Sequence, residues 1–382
     1  MNKFIKGLCV TALAFCALAV MVTLALNLSF LNPVSQSVRD FSLTDIYYNA
    51  LKESGEADTS RVITIVDMTQ LYDRGEIADV LEAINQCEPR AIGVDVVFEG
   101  LRDDSLADRR IADVASASHT TVFSYKLLDY LNDEIGYTKS VHSFFTDTAA
   151  VHEGFTNMER KLYGGMKRQL SLGKKYEGKV CASFFTEVMR IYTGEDFPAE
   201  NRDLDINFSP RTFRVIPADS VFENAEYLKD GIVLLGAMYE EGDMHYTPLG
   251  KIAGTELLAY ALQTLLEQSE VRHPNTLVTF LASFLIVLFT YMWRNAYLRW
   301  AKSRKSEVRR FFLTTTFLMG LMMSAWMAFL GWIGFIVFCL THISFNLGWG
   351  FGAIPFLGGA KEFYEMIETY KNTKKNKQNQ EL

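Results

Sequence analysis

A long polar segment, residues 29–273, lies between segments that are apolar enough to cross a membrane. The first apolar run covers residues 7–28, and about 20 such residues span the hydrocarbon core of a bilayer as a helix. The apolar part of a cleaved signal peptide is usually shorter, about 7–15 residues. We therefore predict an uncleaved membrane anchor at residues 7–28, preceded by a short cytoplasmic N-terminus at residues 1–6.

After the polar segment the sequence becomes apolar again. A second span is predicted at residues 275–293, and a strongly basic loop follows it at residues 294–310. The last part of the chain, residues 355–382, is polar and rich in lysine, which is typical of a cytoplasmic tail.

Residues 311–354 form an apolar run that is much longer than one crossing requires. The two glycines of the Leu-Gly-Trp-Ile-Gly sequence at residues 330–334 indicate a turn within this run. We therefore predict a hairpin of two spans, residues 311–329 and 335–354. The complete prediction is a four-helix transmembrane region.

Charge divides the chain in the same way as hydropathy. The polar segment has a net charge of −16 and the remainder +9, which together give the −7 of the whole chain. Lysine and arginine concentrate on the cytoplasmic side of membrane proteins, and here they lie near the N-terminus, in the basic loop and in the tail. Four spans put these three segments on one side. We predict a multi-pass protein of the cell (inner) membrane, with both termini cytoplasmic and residues 29–273 outside.

The polar segment has the pattern of an α/β domain. Strand-like runs alternate with helical spacing in the order β-α-β-α-β, at residues 61–67, 76–87, 91–98, 104–116 and 120–125. This order predicts a mostly parallel sheet with helices on its faces. A further strand is expected at residues 231–237, and a helix at residues 254–268.

Three aspartates are the predicted ligand-binding residues. Asp67 and Asp95 lie at or near the ends of two strands that we expect to be neighbours, and Asp243 follows a third strand. Ligands of open α/β sheets bind outside the carboxyl ends of the strands, where three carboxylates could hold a cation or an amine. The alternative is that each aspartate caps a helix or bonds backbone amides in a loop.

Motifs of catalysis and metal binding are weak in this sequence. Residues 173–179 have the spacing of a phosphate loop, but Val180 stands where a Ser or Thr would bind magnesium. The histidines lack the spacing of a zinc site, and no nucleophile elbow is present. We therefore expect no enzymatic activity, no metal, no cofactor and no nucleic-acid partner.

Two pairs of residues leave alternatives open. Cys87 and Cys181 could form a disulfide in an oxidising compartment, or remain free thiols in the core. His342 and Asn346 form a polar pair one helical turn apart within the predicted last span. Ionisable groups at such a depth are functional candidates, but hydrogen bonding between helices explains them as well.

Several segments together resemble the type-two CHASE family of extracellular sensory domains. They occur in the family's order and cover nearly the whole chain, at residues 62–67, 91–98, 154–157, 232–236, 247–250 and 254–259, with Asp243 before the fifth. The layout of one span before the domain and three after it is also that of the family. The resemblance implies a bacterial receptor that detects an external signal and passes it through its spans.

Family members usually carry a cyclase, kinase or phosphatase domain after the last span, and the 28 residues after Ile354 are too few for one. The expected function is therefore a membrane-anchored periplasmic sensor that binds an unknown external ligand and acts on a separate cytoplasmic partner. Self-association as a homodimer is left open. The alternative is a non-catalytic envelope scaffold. In either case Phe363, Ile367 and Tyr370 form the apolar side of a tail helix that lies on the lipid bilayer or docks the partner.

Overall fold

The computed structural model describes residues 3–27, 44, 45, 47, 48, 58–146, 151–158, 165–209, 211–345 and 348–378. The chain divides into two compact units. The first unit, Asp45–Val271, contains the β-strands. The second unit, which consists of Met1–Thr44 and Arg272–Leu382, contains the long apolar helices.

The bounds of the secondary-structure elements follow the chain. The strands are β1 (Asp58–Asp67), β2 (Ala91–Val94), β3 (Thr121–Asn132), β4 (Gly136–Val141), β5 (His152–Phe155), β6 (Gln169–Ser171), β7 (Gly173–Tyr176), β8 (Lys179–Ala182), β9 (Asp203–Asp205), β10 (Arg211–Pro217), β11 (Ile232–Gly236), β12 (Met244–Thr247) and β13 (Gly250–Ala253). The α-helices with described bounds are α1 (Lys3–Asn27), α2 (Arg74–Gln86), α3 (Ser105–Ala117), α4 (Phe184–Thr193), α5 (Gly254–Leu266), α6 (Thr276–Lys302), α7 (Glu307–Thr314), α8 (Thr316–Thr341), α9 (Gly348–Ala353) and α10 (Leu357–Gln378).

The first unit is built on a nine-stranded sheet with the order β10-β1-β11-β2-β3-β4-β7-β8, in which β5 pairs with β3. Neighbouring strands from β10 to β3 are parallel, and so are β3 and β5. The far half of β3 pairs with β4 in antiparallel fashion. The predicted mostly parallel sheet with helices is confirmed, and the antiparallel extension adds to it.

Helices cover both faces of the parallel part of the sheet. On one face, α2 and α3 pack on alternate residues of the central strands, such as Ile92 and Val94 of β2. On the other face, α4 lies directly against Gly93, where an added Cβ would be 2.7 Å from Phe184 and 3.1 Å from Val188. Because side chains alternate between the faces of a strand, the missing side chain of Gly93 lets this helix approach the sheet.

Strand β11 lies between β1 and β2, which the sequence analysis expected to be neighbours. Asp67 pairs with Gly236 on one side of β11, and Val94 pairs with Leu235 on the other. Every residue of β11 is buried, as in a central strand of a parallel sheet that is covered on both faces. The expectation that β1 and β2 are neighbours was wrong. The crossover between two parallel strands can leave room between them for a strand from later in the sequence, as it does here for β11.

The second unit contains three helices that are long and apolar enough to cross a membrane, within the described residues. They are α1 (over Lys3–Thr23), α6 and α8. The predicted spans at residues 7–28 and 275–293 fall on α1 and α6. The predicted four-helix transmembrane region is not confirmed, since three such helices are found among the described residues.

The predicted hairpin at residues 330–334 is wrong. Helix α8 runs without interruption through Gly331 and Gly334, so the chain does not turn at residues 330–334. Each glycine weakens a helix by only about 1 kcal/mol relative to alanine, which is too little to stop so long an apolar helix. The helix ends instead at His342, a left-handed residue with φ 53° whose amide donates to the Phe338 carbonyl.

After His342 the chain returns along α1 and α6. The Arg272 amide donates to the His342 carbonyl and the Ser344 amide donates to the Arg272 carbonyl, both at 2.9 Å, so the end of α8 lies beside the start of α6. The ammonium of Lys6 is 3.0 Å from the carboxylate of Glu365, which places the start of α1 beside α10. We call α9, the 3-10 turn Ile354–Phe356 and the first part of α10 the returning segment. Between the two contacts just described, α1, α6 and the returning segment share an apolar cluster of Val10, Ala14, Leu18, Val287, Tyr291, Ala353, Ile354 and Leu357.

Substitution of Gly93 by valine should destabilise the sheet unit by about 1–3 kcal/mol, because the added methyl groups would overpack the contact with α4. Thermal unfolding of the full chain in detergent, followed by circular dichroism, measures the change as a lower melting temperature. Gly242→Ala is the matched control, since a Cβ at Gly242 would meet nothing within 4 Å. Equal melting temperatures for both variants would contradict the assigned contact.

Candidate functional site

A cleft of about 830 Å³ opens at the carboxyl ends of the parallel strands. Its lining comes from strand β3 and from residues that follow other strands, and includes Met68, Thr69, Asp95, Phe98, Ser124, Lys126, Thr156, Asp243 and His245. Ligands of open α/β sheets bind at this edge, and the volume is that of a small-molecule site. The cleft is therefore the candidate functional site.

Asp67 has a structural role beside the cleft. One of its carboxylate oxygens, Oδ1, accepts hydrogen bonds from the Thr69 amide at 3.0 Å, the Thr69 hydroxyl at 2.5 Å and the Met238 amide at 3.1 Å. These bonds join the loop after β1 to the loop after β11. Asp67 therefore follows the alternative given in the sequence analysis, in which an aspartate bonds loop amides.

Asp95 lies in the cleft and keeps acceptor capacity. Its Oδ2 accepts a hydrogen bond of 3.0 Å from the hydroxyl of Thr255 at the start of α5. Burial, and next the negative charge of Asp243, raise the pKa of Asp95 to about 6, although Thr255, Lys126 and His245 act in the opposite direction. The carboxylate is thus held where its charge is poorly compensated.

Asp243 and His245 lie on the other side of the acidic region. Asp243 ends the 3-10 turn Glu241–Asp243 directly before β12, and His245 is the second residue of β12. The His245 Nε2 atom is 3.5 Å from Asp243 Oδ1. This Nε2 atom is buried and has no hydrogen-bond partner among the described residues.

Two glycines make room for this arrangement. A Cβ on Gly236, at the end of β11, would lie 2.1 Å from the Thr255 hydroxyl oxygen. A Cβ on Gly254, the first residue of α5, would lie 2.3 Å from Asp243 Oδ2. Both distances are far below van der Waals contact, so any side chain at either position would displace a group of the cleft.

The rim of the cleft is fixed by a buried ion pair between α2 and α3. The Arg74 guanidinium donates to Asp108 at 2.5 Å, and also to the carbonyls of Glu99 at 3.0 Å and Gly100 at 2.9 Å. Burial alone would raise the pKa of Asp108, but the hydrogen bonds from the Arg102 amide and from Arg74 hold that pKa below its usual range. The loop at residues 99–104 is therefore anchored over α2 and α3.

Sequence reasoning found part of this site. The structure places Asp95 and Asp243 together in the cleft, and Asp67 outside the acidic region. His245, Lys126 and Thr255 were missed: His245 was considered only among the histidines that lack zinc-site spacing, and the others were not singled out. The closeness of His245 to Asp243 in the sequence was a usable signal, whereas nothing in the sequence marked Lys126 or Thr255.

The remaining predicted residues lie elsewhere. Cys87 and Cys181 are both free thiols, and the buried Cys87 donates to the Ala83 carbonyl at 3.3 Å. His342 ends α8, while Asn346 lies outside the described residues. Within the described part of the chain, no group of three or more histidine, cysteine, aspartate or glutamate side chains is arranged to hold a metal ion.

The first unit is a mostly parallel α/β unit with an open polar cleft at the carboxyl edge of its sheet, which is the edge where open α/β sheets bind ligands. The family model of the CHASE2 domain matches residues 15–295, and the chain therefore belongs to this family of sensory domains. No curated protein and no solved structure matches the chain.

Substitution of Asp95 by asparagine should stabilise the protein at pH 7.5 by about 1–3 kcal/mol, because it removes a buried charge that Asp243 repels. The folded-state pKa of about 6 lies above the ordinary value of 3.8, so the wild type loses stability as the pH rises through this interval. The gain should be fully present above pH 6 and disappear below about pH 4, where Asp95 is protonated in both states. Thermal unfolding of the full chain across this pH range measures it.

Asp67→Asn is the matched control at pH 7.5. It weakens the three hydrogen bonds that Asp67 accepts and should cost about 1–2 kcal/mol. If Asp95→Asn destabilised the protein as Asp67→Asn does, the carboxylate of Asp95 would be part of the framework rather than of an unfilled site.

Proposed function

We propose that this chain is a membrane-anchored sensor that binds an external small molecule in the cleft of its first unit and relays the event through its apolar helices to a separate cytoplasmic protein. The observation that carries this proposal is the cleft itself. It contains the carboxylates of Asp95 and Asp243, of which that of Asp95 has a raised pKa, and a buried histidine nitrogen without a hydrogen-bond partner among the described residues, in a member of a sensory family.

Membrane anchoring is supported by the position of the apolar helices in the sequence. Helix α1 precedes the acidic first unit in the sequence and α6 follows it, and α6 has the basic residues Arg299 and Lys302 in its last turn. Lys and Arg at the end of a span indicate the cytoplasmic side. This orientation puts the acidic unit outside the cytosol.

The returning segment after α8 is the proposed fourth crossing. It begins beside the start of α6, where Ser344 bonds Arg272, and it reaches the start of α1, where Glu365 pairs with Lys6. Helix α9, the 3-10 turn Ile354–Phe356 and the first part of α10 cover this distance. An interrupted helix is tolerated at membrane depth where it is buried against neighbouring helices. The tail thereby returns to the cytoplasmic side, as four crossings require.

Relay requires that the ligand bind one arrangement of the helices better than another, because a ligand shifts an equilibrium only through differential affinity. Helix α1 precedes the sensory unit and α6 follows it, and both pack against the returning segment. A change at either end of the first unit can therefore alter the contacts of α10. The ion pair of Lys6 with Glu365 ties α10 to the cytoplasmic end of α1.

The partner surface that we propose is the exposed side of α10. Phe363, Met366 and Tyr370 are 49%, 60% and 70% exposed, and their spacing puts them on neighbouring turns. The sequence analysis expected Ile367 in this set, but Ile367 is half-buried and Met366 takes its place. The same surface would serve the alternative of a scaffold, and in both cases we propose a non-catalytic role.

Cysteine labelling should establish the topology. Lys229→Cys, in the first unit, should react with a membrane-impermeant maleimide on intact bacterial host cells, and Lys305→Cys should react only after lysis. Both lysines are exposed, and the unsubstituted chain measures labelling of the native thiols. Equal labelling of Lys305→Cys before and after lysis would overturn the proposed orientation.

Hydrogen exchange should detect both binding and relay. We expect the dialysable small-molecule fraction of conditioned growth medium to slow exchange at residues 94–98 and 237–246 of the full chain in lipid nanodiscs. Exchange in α10 should change at the same time, while the β7–β8 hairpin should not respond. No change around the cleft with any fraction would reject the sensor proposal, and a change at the cleft without one in α10 would reject the relay.

A further inference from the structure

The acidic side of the cleft has unused hydrogen-bond acceptors. A carboxylate offers about four acceptor positions, and Asp95 uses one oxygen, for Thr255. Among the described residues, no hydrogen-bond donor reaches the carboxylate of Asp243, and the Nε2 atom of His245 is 3.5 Å from its Oδ1 atom. The Nε2 atom of His245 is buried and without a hydrogen bond in the same part of the chain. These three groups converge on one region.

The geometry favours a ligand that supplies several N–H donors and a positive charge. A protonated amine has three donors and no acceptor, and its hydrogen bonds to carboxylates are of the strong, charge-assisted kind. A metal ion fits less well, because the described residues contain no group of three or more ligating side chains at suitable distances. A cation between Asp95 and Asp243 would also remove their mutual repulsion.

The same cleft contains an isolated positive group. Lys126, in β3, lines the cleft and makes no ion pair within the described part of the chain. Its charge acts on Asp95 through space, so the two groups are close enough to contact one small molecule. An anionic group on the ligand would complement Lys126.

The remaining lining sets the size and the polarity of the ligand. Met68, Leu71 and Phe98 give the cleft an apolar wall, which suits an apolar side chain. The volume of about 830 Å³ exceeds the needs of a single small ion and has room for an amino acid or a short peptide.

We propose that the cleft binds a zwitterion of the amino-acid type, with its ammonium group between Asp95 and Asp243, its carboxylate at Lys126 and its side chain on the apolar wall. This inference rests on the proposed sensor function and names the chemical class of its ligand. Gly236 and Gly254 then leave room for the Thr255 and Asp243 side chains beside the ammonium subsite.

Isothermal titration of the full chain in nanodiscs tests the proposal. The probes are the twenty proteinogenic L-amino acids, each alone, and L-leucyl-L-leucine. We expect saturable binding of at least one probe. The N-acetyl derivative of the tightest binder should bind about 10- to 100-fold more weakly, because it lacks the charge-assisted hydrogen bonds to the carboxylates. The amide derivative, which lacks the carboxylate, should also bind more weakly.

Variants assign the two ends of the ligand. Asp95→Asn and Asp243→Asn should each lower the affinity for the unmodified probe by about tenfold or more. Neither substitution should lower the affinity for the N-acetyl derivative much further. Lys126→Met should lower the affinity for the zwitterion but not the affinity for its amide derivative. Asp113→Asn and Lys139→Met change exposed residues outside the cleft and should bind as the wild type does. Melting curves of each variant verify that it is folded.

The failure of this inference is distinguishable from that of the sensor proposal. If no probe binds, or if the N-acetyl derivative binds as tightly as the parent compound, the assigned ligand class is wrong. If the medium fraction still protects the cleft from exchange in that case, the sensor function stands with a different ligand. If neither the probes nor the fraction act on the cleft, both proposals fall.

Discussion

The central position of β11 is the constraint on which the candidate site depends. This strand is buried along its whole length and pairs with β1 on one side and β2 on the other. Its carboxyl end therefore leads into the middle of the cleft edge. The loop that follows brings Asp243 and His245 to Asp95, and Asp67 fixes the start of that loop through the Met238 amide. Burial of the apolar β11 residues in the sheet thus positions Asp243 and His245 near Asp95, although these polar side chains make few contacts with one another.

The carboxylates around the cleft differ in how well their charges are compensated. Asp108 is buried but pairs with Arg74 and the Arg102 amide, and Asp67 accepts three hydrogen bonds. Asp95 has one such bond and a like charge nearby, which together with burial explains its raised pKa. Stability alone would favour a neutral residue there. A carboxylate at such a position is a candidate for the ligand binding that we propose.

In the relay that we propose, the second unit would carry the signal. Small and apolar residues hold α1, α6 and the returning segment together, and Gly352 lies against Leu18 while Gly350 lies against Ser283. Close packing of this kind makes helices move as bodies rather than deform. The Lys6–Glu365 ion pair is partly exposed, so it contributes little to stability. Its rearrangement would therefore cost little during a change of state.

The sequence by itself determined which segments are apolar, where the charge lies and which elements alternate, because hydropathy and periodicity are local properties. From these followed the mostly parallel sheet, the helices α1 and α6, and Asp95 and Asp243, the two of the three predicted aspartates that lie in the cleft. Only the tertiary structure decided that β11 separates β1 from β2, that α8 runs through Gly331 and Gly334 to His342, and that Asp67 belongs to the framework. Strand order depends on which apolar faces pack together in the folded domain. The length of α8 depends on the helical stability of the whole apolar segment, which outweighs the small cost of two glycines. Lys126 and Thr255 come near Asp95 only because of that strand order. No local sequence pattern could therefore have predicted their place in the site.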